Sequence, residues 1–147
     1  MTDSTSTRVA VVDHNNRFIR WTSRAEVHEK QLAHRSIHVL VIDRQGRLIL
    51  QKRNHNKDTY PGYWDMSCCG HVEEADYANA QRPDVELDAL YMNVATRELL
   101  EELQISAELK CLGSFAPEPN VHYEHLQLFL AVHDGPYIPQ PSEVDCV

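Results

Sequence analysis

The stretch RELLEEL, residues 97–103, decides the fold. Residues three and four positions apart share a helix face, so Glu98, Glu101 and Glu102 place three carboxylates side by side. Like charges at this spacing destabilise a helix by about a few tenths of a kcal/mol per pair. Carboxylate oxygens are also the ligands that Mg²⁺ or Mn²⁺ prefers. A solvated amphipathic helix, with Arg97 paired to Glu101, would contain the same residues. The surrounding sequence must therefore decide between a metal site and an ordinary solvated helix face.

The helix around this stretch is expected to span residues 87–103. Apolar residues recur along it at helical spacing and form a stripe that can pack on a sheet. They are Met92, Ala95, Leu99 and Leu103. The stretch therefore belongs to a helix that packs on the protein core.

Short segments rich in Val, Ile and Leu precede and follow this helix. Strands are predicted at residues 8–13, 18–21, 36–42, 47–51, 109–115 and 122–132, with residues 36–51 forming a hairpin that turns at Gly46. Ser23 and Glu26 form a capping-box signature for a short helix that carries His28. Because helices interrupt a larger number of strands, the sequence predicts an α/β fold with a mixed β-sheet.

Length and charge restrict the possible functions. The 147 residues suit one domain, and a formal net charge of −8 without a basic cluster argues against nucleic acid or an anionic membrane as a partner. Residues 1–7 lack the features of a signal peptide, and no apolar run reaches the roughly 20 residues of a membrane span. The four cysteines form neither a disulfide framework nor a CxxC pair, which favours the reducing cytoplasm.

Residues 70–105 resemble the Nudix box, G-x5-E-x7-R-E-U-x-E-E-x-G-U, in which U is an apolar residue. The matching residues are Gly70, Arg97, Glu98, Leu99, Glu101, Glu102 and Ile105. The resemblance extends from about residue 9 to the end and implies a Nudix-type α/β/α sandwich with a bound Mg²⁺ or Mn²⁺. It implies that Glu101 and Glu102 are the main metal ligands. It also implies that Glu98 assists them or acts as a base, and that Arg97 orients the carboxylates.

The sequence departs from the box in three places. Gly70 and Arg97 lie 27 positions apart instead of 14, which predicts a 13-residue insertion within residues 71–88. Counted back from Arg97, the loop glutamate of the box falls on Ala89. Its possible substitutes are Glu73, Glu74 and Glu86. Gln104 replaces the glycine that ends the helix, which predicts a different exit or some strain.

A second cluster resembles the active site of type I isopentenyl diphosphate isomerases, a branch of the same superfamily. This resemblance implies that Cys69 and Glu124 move protons across an allylic double bond. It implies a metal site formed by His28, His34, His71 and Glu124, with His122 where that branch often has another carboxylate. Imidazole and carboxylate ligands suit Mn²⁺ or Zn²⁺. In the alternative interpretation Cys69 is a small buried filler, His28 and His34 are surface residues, and His38 is a core residue with its hydrogen bonds satisfied.

The full set on the helix, Arg97, Glu98, Glu101 and Glu102, favours a metal-dependent hydrolase acting on a small-molecule diphosphate of the nucleoside-diphosphate-X type, because isomerisation does not need it. The isomerase is the alternative, and a catalytically silent diphosphate-binding module is a third hypothesis. Lys52, Arg53 and Lys57 are candidate phosphate ligands. We expect one domain over residues 1–147, with an N-terminal extension at 1–35 and a truncated C-terminus, and a homodimer is possible.

Overall fold

The structure is a computed structural model that describes residues 7–147. Residues 1–6, where the sequence predicts no signal peptide, lie outside the described part. In chain order the elements are β1 (Arg8–Val12), β2 (Phe18–Ser23), α1 (Arg24–Glu29), β3 (His34–Ile42), β4 (Leu48–Ile49), β5 (Gln51–Arg53), β6 (Trp64–Asp65), β7 (Cys68–His71), a 3₁₀ turn (Glu74–Asp76), α2 (Leu87–Leu103), β8 (Lys110–Phe115), β9 (Glu124–Val132) and β10 (Val144–Cys146).

A mixed five-stranded sheet organises these elements, as the sequence predicts. Its order is β4-β3-β9-β8, with β7 also paired to β3. Strands β3 and β9 run parallel, with His34 opposite Glu124, whereas β4, β7 and β8 pair antiparallel. Helix α2 packs on one face over a core that includes Ile37, Val39 and Phe129. The fold is α/β with a mixed sheet, as the sequence predicts.

Helix α2 has the bounds that its apolar stripe predicts, Leu87–Leu103. Gln104 follows it with a φ of 53°, and its backbone N–H donates to the carbonyl of Leu100. The helix therefore ends in the left-handed turn that a glycine would normally make. A residue with a Cβ adopts this conformation at a cost of about 1–2 kcal/mol, so the predicted strain is present and the exit is the usual one.

The predicted hairpin between residues 36–42 and 47–51 is present only at its two residue pairs next to the turn, and the rest of the predicted pairing is wrong. Strand β4 has two residues and pairs only with Val41 and Ile42. The edge of β3 at Ser36–Val39 is occupied by β7 instead. The chain therefore leaves this sheet after β4, and β5 joins a three-stranded sheet between β10 and β6. No helix among the described residues is long and apolar enough to cross a membrane.

A buried arginine fixes the segment that joins the 3₁₀ turn to α2. Arg35 is 1% exposed, and its guanidinium donates to the Tyr77 hydroxyl and the Pro83 carbonyl, both at 3.0 Å. It also forms a 2.6 Å ion pair with Asp84. These bonds satisfy a buried charge and tie the segment to β3. The residues between the 3₁₀ turn and α2, where the sequence predicts an insertion, are thus anchored against the sheet.

Candidate functional site

Gly70 marks the point where α2 passes closest to the sheet. A Cβ built at this position would lie 2.4 Å from Oε1 of Glu98. Because only glycine leaves this space, the box glycine lets the Glu98 carboxylate lie against β7. Gly70, the first residue of the motif, therefore makes room for the carboxylate of Glu98 near the end of the motif.

Arg97 holds the carboxylates of the helix in place. Its Nη1 donates to Glu98 at 2.9 Å and to Glu101 at 3.1 Å. Its Nε and Nη2 donate to the two oxygens of Asp76 at 2.7 and 2.8 Å, a bidentate pair. The guanidinium thus links the helix to the loop that leaves β7.

Asp76 is the residue that the sequence analysis missed. It lies six positions after Gly70, which is the spacing of the loop glutamate in the box. Counting back from Arg97 pointed to Ala89 because the inserted residues lie between Asp76 and α2. Ala89 is exposed on the helix. Counting forward from Gly70 would have identified Asp76.

The three proposed substitutes for that glutamate have different surroundings. Glu73 lies near Arg97, whose charge opposes the rise that burial causes in the pKa of Glu73. Glu74 forms a 3.0 Å ion pair with Arg8, and Glu86 is exposed at the start of α2. Of these three, only Glu73 adds charge to the carboxylate cluster.

Two of the helix glutamates are buried. Glu98 is 8% exposed and Glu102 is 6% exposed, whereas the Glu101 side chain is 49% exposed. Burial, followed by the charge of Glu102, raises the pKa of Glu98 to about 8, and burial raises the pKa of Glu102 to about 7. An added cation would favour the ionised carboxylates. This set of oxygen donors therefore fits Mg²⁺ or Mn²⁺.

Glu102 connects the helix to β7. Its Oε2 accepts hydrogen bonds from the Cys69 backbone N–H and from Nε2 of Gln51, both at 3.2 Å. The next residue of β7, Gly70, contacts Glu98 as described above. The carboxylate cluster thus lies along β7.

The opposite face of the sheet carries the histidines. Alternate residues of a strand point to opposite faces. Gly70 faces α2, so Cys69 and His71 point away from it. In β3, His34, Ser36 and His38 share that second face, because Ile37 and Val39 face the core.

Three histidines converge on this face, from α1, β3 and β7. Each histidine offers one ring nitrogen as a potential metal ligand, and these three nitrogens lie within 4.8 Å of one another. Within residues 7–147, His28, His34 and His71 are the one group of three or more potential ligands with this spacing. The three carboxylates of α2 would need side-chain movement to converge as closely.

The geometry around Glu124 fits a cation. Nε2 of His34 and Nε2 of His71 lie 3.6 and 3.5 Å from Oε1 of Glu124, and both nitrogens are buried without a hydrogen-bond partner. Nδ1 of His34 donates to the carbonyl of Leu32 at 2.8 Å, which leaves Nε2 as the nitrogen that faces Glu124. Burial lowers the pKa of His71 to about 4, so His71 is neutral at pH 7. A metal ion would give a partner to both buried nitrogens and to the carboxylate.

Two residues of the isomerase-like set remain, Cys69 on the histidine face of the sheet and His122 just before β9. Cys69 lies on the face, with its Sγ 3.6 Å from Oδ2 of Asp65, and burial raises the pKa of its thiol well above the usual value. Cys69 is thus a protonated thiol beside the histidines. Nδ1 of His122 accepts a long 3.4 Å hydrogen bond from the backbone of Glu124, and His122 lies outside the histidine cluster.

The predicted phosphate ligands contact other parts of the protein. Arg53 donates to the carbonyl and hydroxyl of Thr59, both at 2.9 Å, and pairs with Asp65 at 3.4 Å. Lys57 is paired with Glu143, which precedes β10. Both cations would have to exchange these contacts for phosphate. Lys52 lies beside Arg53 on β5.

Comparisons with known proteins identify the family. A family model described as NUDIX domain matches residues 32–147. An isopentenyl-diphosphate Delta-isomerase of Serratia proteamaculans is 31% identical over 138 residues, covering 90% of this chain and 70% of that protein. An uncharacterized Nudix hydrolase of Pseudomonas aeruginosa is 34% identical over 137 residues, covering 92% and 73%.

The solved structures agree on the fold. The crystal structure of a Deinococcus radiodurans protein, DR0079, superposes with a TM-score of 0.76 at 19% identity, covering 95% of this chain and 80% of that one. This similarity and the matched domain both show that the chain has the Nudix fold. The chain belongs to the Nudix family, in the branch that includes isopentenyl diphosphate isomerases.

Proposed function

We propose that the chain is a metal-dependent Nudix pyrophosphohydrolase that cleaves the diphosphate linkage of a nucleoside-diphosphate-X substrate. The observation that carries this proposal is the salt-bridge network of Arg97. Its guanidinium pairs with Asp76 on the loop and with Glu98 and Glu101 on α2. Moving a double bond needs no such cluster. The Nudix hydrolase among the relatives supports the same function.

The proposal gives a role to Arg97 and to each glutamate of α2. Glu101 and Glu102 would be the main ligands of Mg²⁺ or Mn²⁺, and Arg97 orients the carboxylates. When bound, the metal supplies Lewis-acid polarisation of a phosphoryl oxygen and neutralises charge on the diphosphate. Glu98 is mainly protonated near pH 7 when no cation is bound, because its pKa is about 8. Its ionised form can accept a proton from the attacking water.

Product analysis by phosphorus NMR tests this proposal. Only when Mg²⁺ or Mn²⁺ is added should wild type cleave nucleotide sugars and dinucleotides into two phosphate esters. Nucleoside triphosphates should give the monophosphate and pyrophosphate, and nucleoside diphosphates the monophosphate and phosphate. Glu101→Gln and Glu102→Gln keep the side-chain shape but remove a charge, so turnover should collapse. Glu108→Gln, an exposed change beyond α2, is the matched control. Unchanged turnover in the Glu101 and Glu102 variants would rule out this mechanism.

Isopentenyl diphosphate isomerisation is the second candidate, and the histidine geometry favours it. His28, His34 and His71 are the closer-spaced group of potential metal ligands, and Oε1 of Glu124 lies within 3.6 Å of two of them. Cys69 lies on the same face of the sheet. In this function Cys69 and Glu124 would exchange protons with the carbon skeleton. Several isomerases among the relatives support it.

The two chemistries give different products. The isomerase would interconvert the two five-carbon diphosphates without phosphate release, and Cys69→Ala would abolish the reaction. Retained isomerisation in Cys69→Ala would eliminate that mechanism. Calorimetric binding of diphosphates without turnover across the panel would support a silent binding module instead.

A further inference from the structure

A single guanidinium closes the segment between the 3₁₀ turn and α2 into a loop. Arg35 donates to the hydroxyl of Tyr77, the first residue of this segment, at 3.0 Å. Near the end of the segment it donates to the Pro83 carbonyl at 3.0 Å and to the Asp84 carboxylate at 2.6 Å. Both ends of residues 77–84 are therefore held at one point of β3.

The same guanidinium also binds the turn between β1 and β2. Nε and Nη2 of Arg35 donate to the side-chain and main-chain oxygens of Asn16, both at 2.8 Å. Arg35 thus makes five hydrogen bonds, as many as a guanidinium has N–H donors. A lysine offers three donors on one ammonium and lacks the planar fork. Only an arginine can therefore hold these three parts of the chain together from this position.

Stability alone is a weak reason for burying this charge. Arg35 is 1% exposed, and replacing a buried ion pair by apolar side chains often leaves a protein equally stable or more stable. The segment itself has little apolar surface that could order it. Apart from Tyr77, Ala80 and Pro83, residues 77–84 are exposed. The bonds to Arg35 are therefore what gives this segment one conformation.

Tyr77 directly follows Asp76, the carboxylate that pairs with Arg97. The Tyr77 ring packs against the core and lies edge-on to the indole of Trp21, with centroids 5.0 Å apart. Its hydroxyl is held by Arg35. Because the peptide bond between the two residues is planar, a fixed Tyr77 also fixes the backbone of Asp76. Asp76 can then present both carboxylate oxygens to Arg97, at 2.7 and 2.8 Å.

We propose that Arg35 is a positioning residue of the carboxylate site and acts through Tyr77 on Asp76. It keeps Asp76 in place for Arg97 although 21 positions of chain separate these two residues. Arg35 positions and does not bind substrate, since its N–H groups are all used within the protein. The consequence for catalysis rests on the proposed function, because the same carboxylates would hold the metal.

The variants that test this inference change one bond at a time. Tyr77→Phe removes the hydroxyl that accepts from Arg35 and keeps the ring. Arg35→Lys keeps the charge and removes the fork. Tyr137→Phe is the matched control, because it removes a half-buried hydroxyl that donates to the His133 carbonyl beyond β9. The first readout needs no metal: nitrogen NMR measures how fast the Nε–H of Arg97 exchanges with water.

This exchange should become faster when Asp76 is less well held. In metal-free Tyr77→Phe the Nε–H of Arg97 should exchange about three- to tenfold faster than in wild type, as expected for one lost hydrogen bond. The effect is partial because the Glu73 backbone N–H also donates to Asp76, at 2.8 Å. Arg35→Lys should accelerate the exchange at least as much. The matched control should stay within about twofold of wild type, whatever its Tm.

Metal binding gives the second readout. Calorimetry with Mn²⁺ measures the dissociation constant of the site that is lost in Glu102→Gln. Tyr77→Phe should raise this constant about three- to tenfold. In an Asp76→Asn background the same change should have no further effect, because the inferred path runs through Asp76.

Two results would overturn the inference. One is an Arg97 exchange rate in Tyr77→Phe equal to that of wild type, because the effect of Arg35 is inferred to pass through this hydroxyl. The other is an equal loss of Mn²⁺ affinity from Tyr77→Phe with and without Asp76→Asn, which would show a general loss of stability instead.

The proposed function is tested separately by product analysis. Faster Arg97 exchange in Tyr77→Phe, without cleavage of any nucleotide by wild type, would remove the hydrolase and keep the positioning role of Arg35. Nucleotide cleavage by wild type, with an unchanged Arg97 exchange rate in Tyr77→Phe, would do the reverse.

Discussion

The bidentate salt bridge between Asp76 and Arg97 provides a quantitative test of how the carboxylate site is built. Asp76 accepts bonds of 2.7 and 2.8 Å, and its side chain is 11% exposed while that of Arg97 is 27% exposed. A hydrogen bond to a charged group contributes about 1.5–3 kcal/mol, and the partial exposure of Arg97 places this pair at the lower end. Asp76→Asn keeps one acceptor oxygen and removes the charge.

We expect Asp76→Asn to lower kcat/KM at least about tenfold, since about 1.4 kcal/mol corresponds to a factor of ten. The Mg²⁺ concentration for half-maximal activity should rise, because Arg97 would no longer hold Glu98 and Glu101 in one orientation. Steady-state kinetics at several Mg²⁺ concentrations measure both effects. Asp76→Glu should recover part of the loss, because it restores the charge.

Glu74→Gln is the matched control for this prediction. Glu74 lies two residues from Asp76, but its carboxylate pairs with Arg8 at 3.0 Å. Its removal should leave kcat/KM and the Mg²⁺ dependence unchanged. The assignment of Asp76 fails if Asp76→Asn behaves like wild type, or if both variants lose the same activity.

Three further predictions follow from the same region. Because folding raises the pKa of Glu98 to about 8 and that of Glu102 to about 7, the folded state retains protons that the unfolded chain has lost. Without metal, the free energy of unfolding should fall as pH rises from about 4.5 to 8. Mg²⁺ should raise Tm more at pH 8 than at pH 5. A metal-free free energy of unfolding that does not change with pH would contradict this. Gln104→Gly should increase the free energy of unfolding by about 1 kcal/mol in urea titrations, because glycine adopts the positive φ without strain, whereas a decrease would show that the Gln104 side chain stabilises the turn. Gly70→Ala should lower kcat/KM at least about tenfold by displacing the Glu98 carboxylate. Its Tm should change little because that side chain can move, and full activity would show that the close approach is dispensable.

Local patterns in the sequence were sufficient for α2 and its carboxylates. The apolar stripe of the helix has a strong period, and its bounds are those of the structure. The charge spacing of RELLEEL and the short Cys-Gly-His motif identified both clusters that the fold brings to β7. These features depend on residues close to one another in the chain.

The features that sequence analysis missed depend on distant residues. Asp76 was overlooked because the insertion separates it from Arg97 by 21 positions. Strands β6 and β10 have two and three residues and exist through their pairing with β5. The ion pair between Lys57 and Glu143 spans 86 positions, so the sequence alone could not show that this cation is already paired.

The two faces of β7 offer two chemistries, and their products separate them in one measurement. Wild type and Glu102→Gln are incubated with Mg²⁺, a nucleotide sugar and isopentenyl diphosphate, and the reaction is followed by phosphorus and proton NMR. The hydrolase proposal predicts that wild type forms two phosphate monoesters from the nucleotide sugar, that Glu102→Gln does not, and that the isopentenyl double bond stays in place. Migration of that double bond without cleavage of the nucleotide sugar would contradict it.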